Sequence, residues 1–439
     1  MLLNIILCVL GIIFSCYLII TLRKQEGVPR IVPFFLGISF ITWYAIPILL
    51  SIFHSFKIFE NMIHISLNEY LKLAFKELIF YIIILLLFKF SFKIKNPFKN
   101  ISIIESNSIS DSNSFIKSCI AFSIIMLIYN MIMRSDYDKN NEIGQAQGGI
   151  FFILQYFVSY IISFYWINII FNQKSKYQNF YIIFILINSV FAIIAGARIH
   201  LLSLLYLYFF VNIKLLSVGK KLRFFTPFIA IFLASLIVLP ILSAKRTGHE
   251  ADLSSQDLAT ITELVLIECN IKLNSIAYSS ALLEYDGEGF AGFKPYLGSL
   301  FKYIPRFIWK DKPTPTSFNN DISGTPARRA PYLYGVVNET QNVGVSAYSV
   351  SSWQSGIYTI ILSIILNVIY LIIINTFLKN NSLYLNAIGL QLFYFPQLIM
   401  TPSYGDNIIQ KLLEILIIIS ILLLFKVIKF KVIRETTIE

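Results

Sequence analysis

Charged side chains are scarce in this sequence. Asp, Glu, Lys and Arg make up 14% of its 439 residues, against roughly 25% in soluble domains. That shortage argues against a water-soluble globular fold. Histidine is nearly missing: His54, His64, His200 and His249 stand alone, without the i, i+4 spacing of metal ligands. Neither a Walker sequence nor a Gly-x-Gly-x-x-Gly after a strand is present to cradle phosphates. Paired aspartates of the kind that hold a metal-bound nucleotide sugar are also lacking. No metal and no cofactor is therefore expected. Cysteine is rare too. Cys8, Cys16 and Cys119 fall within apolar runs and Cys269 stands apart from them, so no disulfide framework is indicated.

What the chain does have is apolar sequence. Hydrophobic residues reach 56% and gather in runs close to the ~20 residues that cross a bilayer core. These predict an all-α polytopic membrane protein of about eleven helices, at roughly 2–22, 31–53, 69–88, 115–133, 150–171, 178–195, 199–216, 224–242, 351–377, 383–400 and 408–425. The chain begins without a basic stretch, and its first apolar run ends at Arg23-Lys24. An uncleaved first span with its N-terminus outside is the expectation, rather than a signal peptide.

The placement of charge sets the orientation. With the N-terminus outside, the cytoplasmic loops and tail collect eighteen basic residues. The short outer segments hold only Lys57, Arg134, Lys139 and Arg198. This is the positive-inside pattern, from which long loops are exempt. It also explains the formal net charge of +12 without nucleic acid as a partner. Three parts follow: helices 1–8 over 1–242, a large extracytoplasmic loop over 243–350, and helices 9–11 with a cytoplasmic tail over 351–439.

The long loop carries structure of its own. Ser254-Ser255-Gln256-Asp257 has the form of a helix start, and Leu258, Ile261, Leu264, Val265, Leu273 and Ile276 follow at roughly helical spacing. An amphipathic helix on the outer membrane surface is expected there. Residues 303–313 mix aromatics, prolines and charges, which suits a fixed loop near the membrane interface. The serine-rich stretch 105–114 reads as a cytoplasmic linker.

Candidate site residues lie on the outer side. Arg198 occupies the tight Gly196-Ala197-Arg198 turn between two apolar runs. An arginine at that position is a functional candidate, or else snorkels to lipid headgroups. Lys245 and Arg246 follow the eighth span. Arg306, Lys310 and Lys312 come next, and then Arg328 and Arg329. Guanidinium groups grip phosphate oxygens bidentately and never lose their charge. Together these residues would clamp a lipid-linked pyrophosphate, or else form a solvated basic loop drawn to anionic lipid. Tyr296, Tyr303, Trp309, Tyr332, Tyr334, Tyr348 and Trp353 would stack on sugars or line an interfacial belt. A general base within reach of an acceptor hydroxyl would come from Glu268, Glu284, Asp286, Glu288, Asp311, Asp321, Glu339 or Asp406. Glu339 is the first choice because it lies just ahead of the return to the membrane.

At these residues the chain resembles a family. The Gly196-Ala197-Arg198 turn and one large outer loop late in a many-span chain look like the Wzy-type O-antigen polymerases, relatives of the O-antigen ligases in the GT-C class. Ile304-Pro305-Arg306-Phe307-Ile308-Trp309-Lys310-Asp311-Lys312-Pro313 is similar to the proline-arginine-aromatic stretch of oligosaccharide repeat-unit polymerases. Gly344-Val345-Ser346-Ala347-Tyr348, followed by Trp353 and Gly356-Ile357, is similar to that family's return to the membrane. The likeness covers most of the chain in architecture but only about thirty residues in motif. A histidine that the ligases carry before this return has no counterpart after His249, which favours polymerase over ligase.

The resemblance implies a glycosyltransferase of the bacterial inner membrane with its active site facing the periplasm. It would join undecaprenyl-pyrophosphate-linked oligosaccharides into O-antigen or a related surface polysaccharide. Arg198, Arg246 and Arg306 would hold the donor pyrophosphate and Glu339 would take the acceptor's proton. Lys245, Trp309, Lys312, Arg328, Arg329 and Tyr348 would bind substrate. Membrane lipid and a chain-length-regulating co-polymerase would be partners. The rival reading is a transporter or flippase for lipid-linked glycans. Such folds place charge at midplane between repeated halves, whereas these spans read as nearly free of mid-membrane charge and without a repeat.

Overall fold

The computed structural model describes residues 1–53, 67–92, 101–105, 121, 292–301, 304, 308, 309, 311, 313, 347–379, 385, 388, 389, 405–424 and 428–432. In chain order these form α1 (Leu2–Lys24), α2 (Ile31–Phe40), a π-turn (Ile41–Ala45), α3 (Ile46–Phe53) and α4 (Leu67–Ser91). Then come β1 (Ile101–Glu105), α5 (Lys294–Leu300), α6 (Ala347–Ser355), α7 (Ile357–Lys379), α8 (Gly405–Leu424) and β2 (Ile428–Val432). Three of the described helices, α1, α7 and α8, are long and apolar enough to cross a membrane. The chain is therefore a helical membrane protein. The expected spans at 150–171, 178–195, 199–216 and 224–242, most of 115–133 and of 383–400, and the helix expected over 254–276 lie outside the described residues.

α1 packs along α4. Gly11 makes the close approach possible: a Cβ there would meet Leu78 Cδ1 at 3.1 Å. Small residues of this kind let helices associate by packing where lipid removes any hydrophobic drive. Asn4 Nδ2 donates to Asn68 Oδ1 at one end of the pair (2.7 Å), and Gln25 Nε2 donates to the Lys89 carbonyl at the other (3.2 Å). The two helices thus run parallel. α7 runs the same way, since Asn375 Nδ2 donates to the Gly27 carbonyl (3.3 Å).

Residues 31–53 are helical throughout, but a π-turn interrupts them just before Pro47. Proline lacks an N–H and its ring clashes with the carbonyl four residues back, and a wider turn absorbs that mismatch. Aromatic packing holds the turn. Tyr44 stacks on Phe40 and Tyr81, with centroids 5.9 and 5.3 Å apart, and Tyr81 donates to the Leu36 carbonyl (3.3 Å).

Two expectations need correction. The span expected over 351–377 is two helices, broken at Gly356, whose φ of +60° is a left-handed conformation that favours glycine. The described part is helical, as expected, with one short strand pair beside the helices. β1 pairs antiparallel with β2, Ile101 opposite Val432 and Glu105 opposite Ile428, which ties the segment after α4 to the one after α8. Finally, the spans are not nearly free of mid-membrane charge: Glu77 is buried in α4, and Lys411 and Glu414 are buried in α8.

Candidate functional site

The richest buried polar cluster among the described residues lies where α5, α6 and the first turns of α7 and α8 meet. Its origin is visible in the two long helices. Thr359, Ser363 and Asn367 recur every four residues in α7, and Asp406, Gln410 and Glu414 do so in α8. Four-residue spacing puts each set on one helix face. Because α7 and α8 pack together, the polar residues of both are buried inside the protein.

Asp406 is at the centre. It is the second residue of α8, where a negative charge faces the positive end of the helix dipole, and it is 0% exposed. Gln354 Nε2 donates to its Oδ1 (3.0 Å), and the Ser299 hydroxyl approaches Oδ2 at 3.5 Å. Gln410 Nε2 in turn donates to Ser299 Oγ (3.1 Å). A buried carboxylate is tolerable only when it is hydrogen-bonded in this way. One acid thereby joins α5, α6 and α8.

A second knot centres on Ser363. Its hydroxyl receives the Gly405 N–H (2.9 Å) and lies within hydrogen-bonding distance of the Ser351 (2.7 Å) and Tyr296 (3.3 Å) hydroxyls. Gly405 is required here. A Cβ would fall 2.5 Å from the Tyr296 hydroxyl oxygen and 3.0 Å from Ser363 Oγ. Thr359 closes the break at Gly356, donating to the Ser351 carbonyl and accepting the Ser355 N–H (3.0 Å). One turn further along α8, Lys411 Nζ and Glu414 Oε2 form a buried ion pair at 2.8 Å.

Of the residues expected to hold the donor, take the proton or bind substrate by the resemblance, Trp309 and Tyr348 are described. Trp309 is 39% exposed, its ring 5.3 Å from that of Phe301. Tyr348 is half-buried and sets its ring edge-on to Phe80 at 6.3 Å, so it packs the joint between α6 and α4. Tyr296, expected to meet sugars or an interface, is instead buried against Ser363 and Gly405. Arg198, Lys245, Arg246, Arg306, Lys312, Arg328, Arg329 and Glu339 lie outside the described residues.

Sequence reasoning named Asp406 only as one carboxylate among eight, and it passed over Ser299, Ser351, Gln354, Ser363 and Gln410. For Ser363, Asp406 and Gln410 a signal was present as polar residues at four-residue spacing inside apolar runs, and Ser299, Ser351 and Gln354 carry no such spacing within an apolar run. Chemically the cluster offers a carboxylate that accepts protons, surrounded by amide and hydroxyl groups that hold it. Comparison with known proteins gives no match to any family model, curated protein or solved structure.

Proposed function

We propose that the chain is a repeat-unit polymerase, joining lipid-pyrophosphate-linked oligosaccharides at the extracytoplasmic face of the bacterial inner membrane. One observation carries the reading. Asp406, a wholly buried carboxylate, is bonded to Ser299, five residues before the Ile304-to-Pro313 stretch that resembles the polymerases. A general base is thus tied to the segment on which the resemblance rests.

In this reaction the acceptor's terminal hydroxyl attacks the anomeric carbon of the donor's first sugar. The bond from that carbon to the pyrophosphate oxygen breaks, and the new glycosidic bond forms. The hydroxyl proton passes to a carboxylate, and the lipid pyrophosphate leaves with the bonding electrons. Arg198, Arg246 and Arg306 are assigned to the developing negative charge, since preorganised cations act most strongly where charge appears in the transition state. Two carboxylates compete for the proton: Glu339, just ahead of α6, and Asp406. Asp406 has the better support, because its surroundings already hold it in place.

A transporter of lipid-linked glycans is the second reading. The buried Lys411–Glu414 pair favours it, because ionisable residues inside membrane helices often mark ion pathways. One assay separates the two. Purified protein in lipid nanodiscs, given a polyprenyl-pyrophosphate oligosaccharide and no gradient, should yield a ladder of longer glycans and free polyprenyl pyrophosphate. A substrate that stays unchanged would overturn the polymerase. In cells, deletion of the gene should leave lipid A core with a single repeat unit. Loss of every repeat would point to a ligase or flippase.

A further inference from the structure

α5 has its polarity turned inside out. Its small and polar residues, Pro295, Gly298 and Ser299 together with Tyr296, are buried in the protein. Its outward positions are Phe293 (50% exposed), Leu297 and Leu300 (each 45%), with Lys294 beside them. The turn that follows adds Ile308 (67% exposed) and Trp309. In a loop bathed by water the reverse arrangement is expected. Exposed apolar residues grouped on one face mark a surface that meets something apolar.

The neighbours of α5 identify what that is. Tyr296 meets Ser363, the seventh residue of α7, about 9 Å inside that helix at ~1.5 Å per residue. Ser299 meets Gln410, the sixth residue of α8. α5 therefore lies beside the first two turns of two membrane-crossing helices, not above them. At the start of α7, Ile357, Tyr358 and Ile361 are likewise exposed, and Ile365, Ile369 and Ile372 carry the stripe onward. A lipid-facing surface of the bundle thus begins at the depth where α5 sits. The backbone suits that depth. Gly292 N–H donates to the Gln354 carbonyl (2.7 Å), and Phe301 and Ile304 N–H groups donate within the segment (both 3.0 Å). Short irregular backbone is tolerated at membrane depth where the protein satisfies it in this manner.

We infer that Phe293–Phe301, with Ile308 and Trp309, is a membrane-inserted part of the large loop, with Phe293, Leu297, Leu300, Ile308 and Trp309 immersed among lipid acyl chains. Lys294 reaches back toward the headgroups, as long basic side chains do at such boundaries. The occupant of the apolar face is the bilayer itself. This inference stands whether or not the polymerase reading does.

The test is collision accessibility in phospholipid vesicles. Nitroxide labels are placed at Leu297→Cys and Leu300→Cys in full-length protein with its four native cysteines replaced, and a third label at Asp311→Cys provides the water-side reference. Both helix positions should meet dissolved oxygen several times more often than a water-soluble nickel chelate, and the reference should do the opposite. A preference for nickel at 297 and 300 would overturn the inference. So would protection from both reagents, which means cover by protein, or broadening between labels, which means a second copy. The unmodified protein supplies a check free of substitutions. A photoactivatable phospholipid with its reactive group on the acyl chain should label Phe293, Leu297, Leu300, Ile308 or Trp309, and their escape from labelling would also sink the idea.

Discussion

The two ends of the described helices handle charge in opposite ways. At one end, Arg23, Lys24, Arg30 and Lys379 are exposed, and half-buried Lys89 lies over the Tyr17 ring at 5.9 Å. These groups decorate helix termini, while the backbone carbonyls of Gly27 and Lys89 beside them accept from Asn375 and Gln25. At the other end, Asp406, Gln354, Ser299 and Gln410 are almost completely buried and bonded to one another. Exposed basic residues orient a chain in its membrane at little energetic cost. A buried carboxylate is costly unless its partners are in place. The basic end is open to its surroundings, and the polar end is closed on itself.

Substitutions sharpen that contrast, and the largest effect is expected at the ion pair. Lys411→Met leaves Glu414 buried without its cation, which costs about 3 kcal/mol where such pairs have been broken. Thermal unfolding in detergent should show a large drop in melting temperature, and Lys411→Met with Glu414→Leu should recover most of it. Next comes Gly405→Ala, whose new methyl meets the Tyr296 hydroxyl. Overpacking of this kind costs about 2 kcal/mol, and Tyr296→Phe should relieve part of it. Gly356→Ala is expected to cost about 1 kcal/mol, through its positive φ alone, because a Cβ there meets nothing within 4 Å. At the basic end, Lys24→Gln should leave the melting temperature unchanged within error. A drop at Lys24 as large as that at Lys411 would erase the distinction between the two ends.

Much of this architecture can be read from the residues, and the misses have physical causes. The first apolar run anticipates α1 to within two residues, and the run at 31–53 coincides with α2, the π-turn and α3. The break at Gly356 was missed because Ser355-Gly356-Ile357 leads straight into an apolar run, and no count of hydrophobicity registers a positive φ. The strand pair was missed for another reason. Ile428-Lys429-Phe430-Lys431-Val432 alternates apolar and charged residues as strands do, but its lysines were read only as markers of sidedness. Asp406 was not singled out from the other seven candidate carboxylates because a carboxylate near a span end looks the same in sequence whether it is buried or solvated. Only its bonds to Ser299 and Gln354, residues far away along the chain, reveal the difference.

Asp406→Asn in the nanodisc polymerisation assay tests the central claim most directly. The amide keeps the size of the side chain and one acceptor for Gln354 and Ser299, so the protein should fold and should still bind the lipid-linked donor. Glycan elongation should stop. A normal ladder from a folded Asp406→Asn protein would show that this carboxylate takes no part in the reaction.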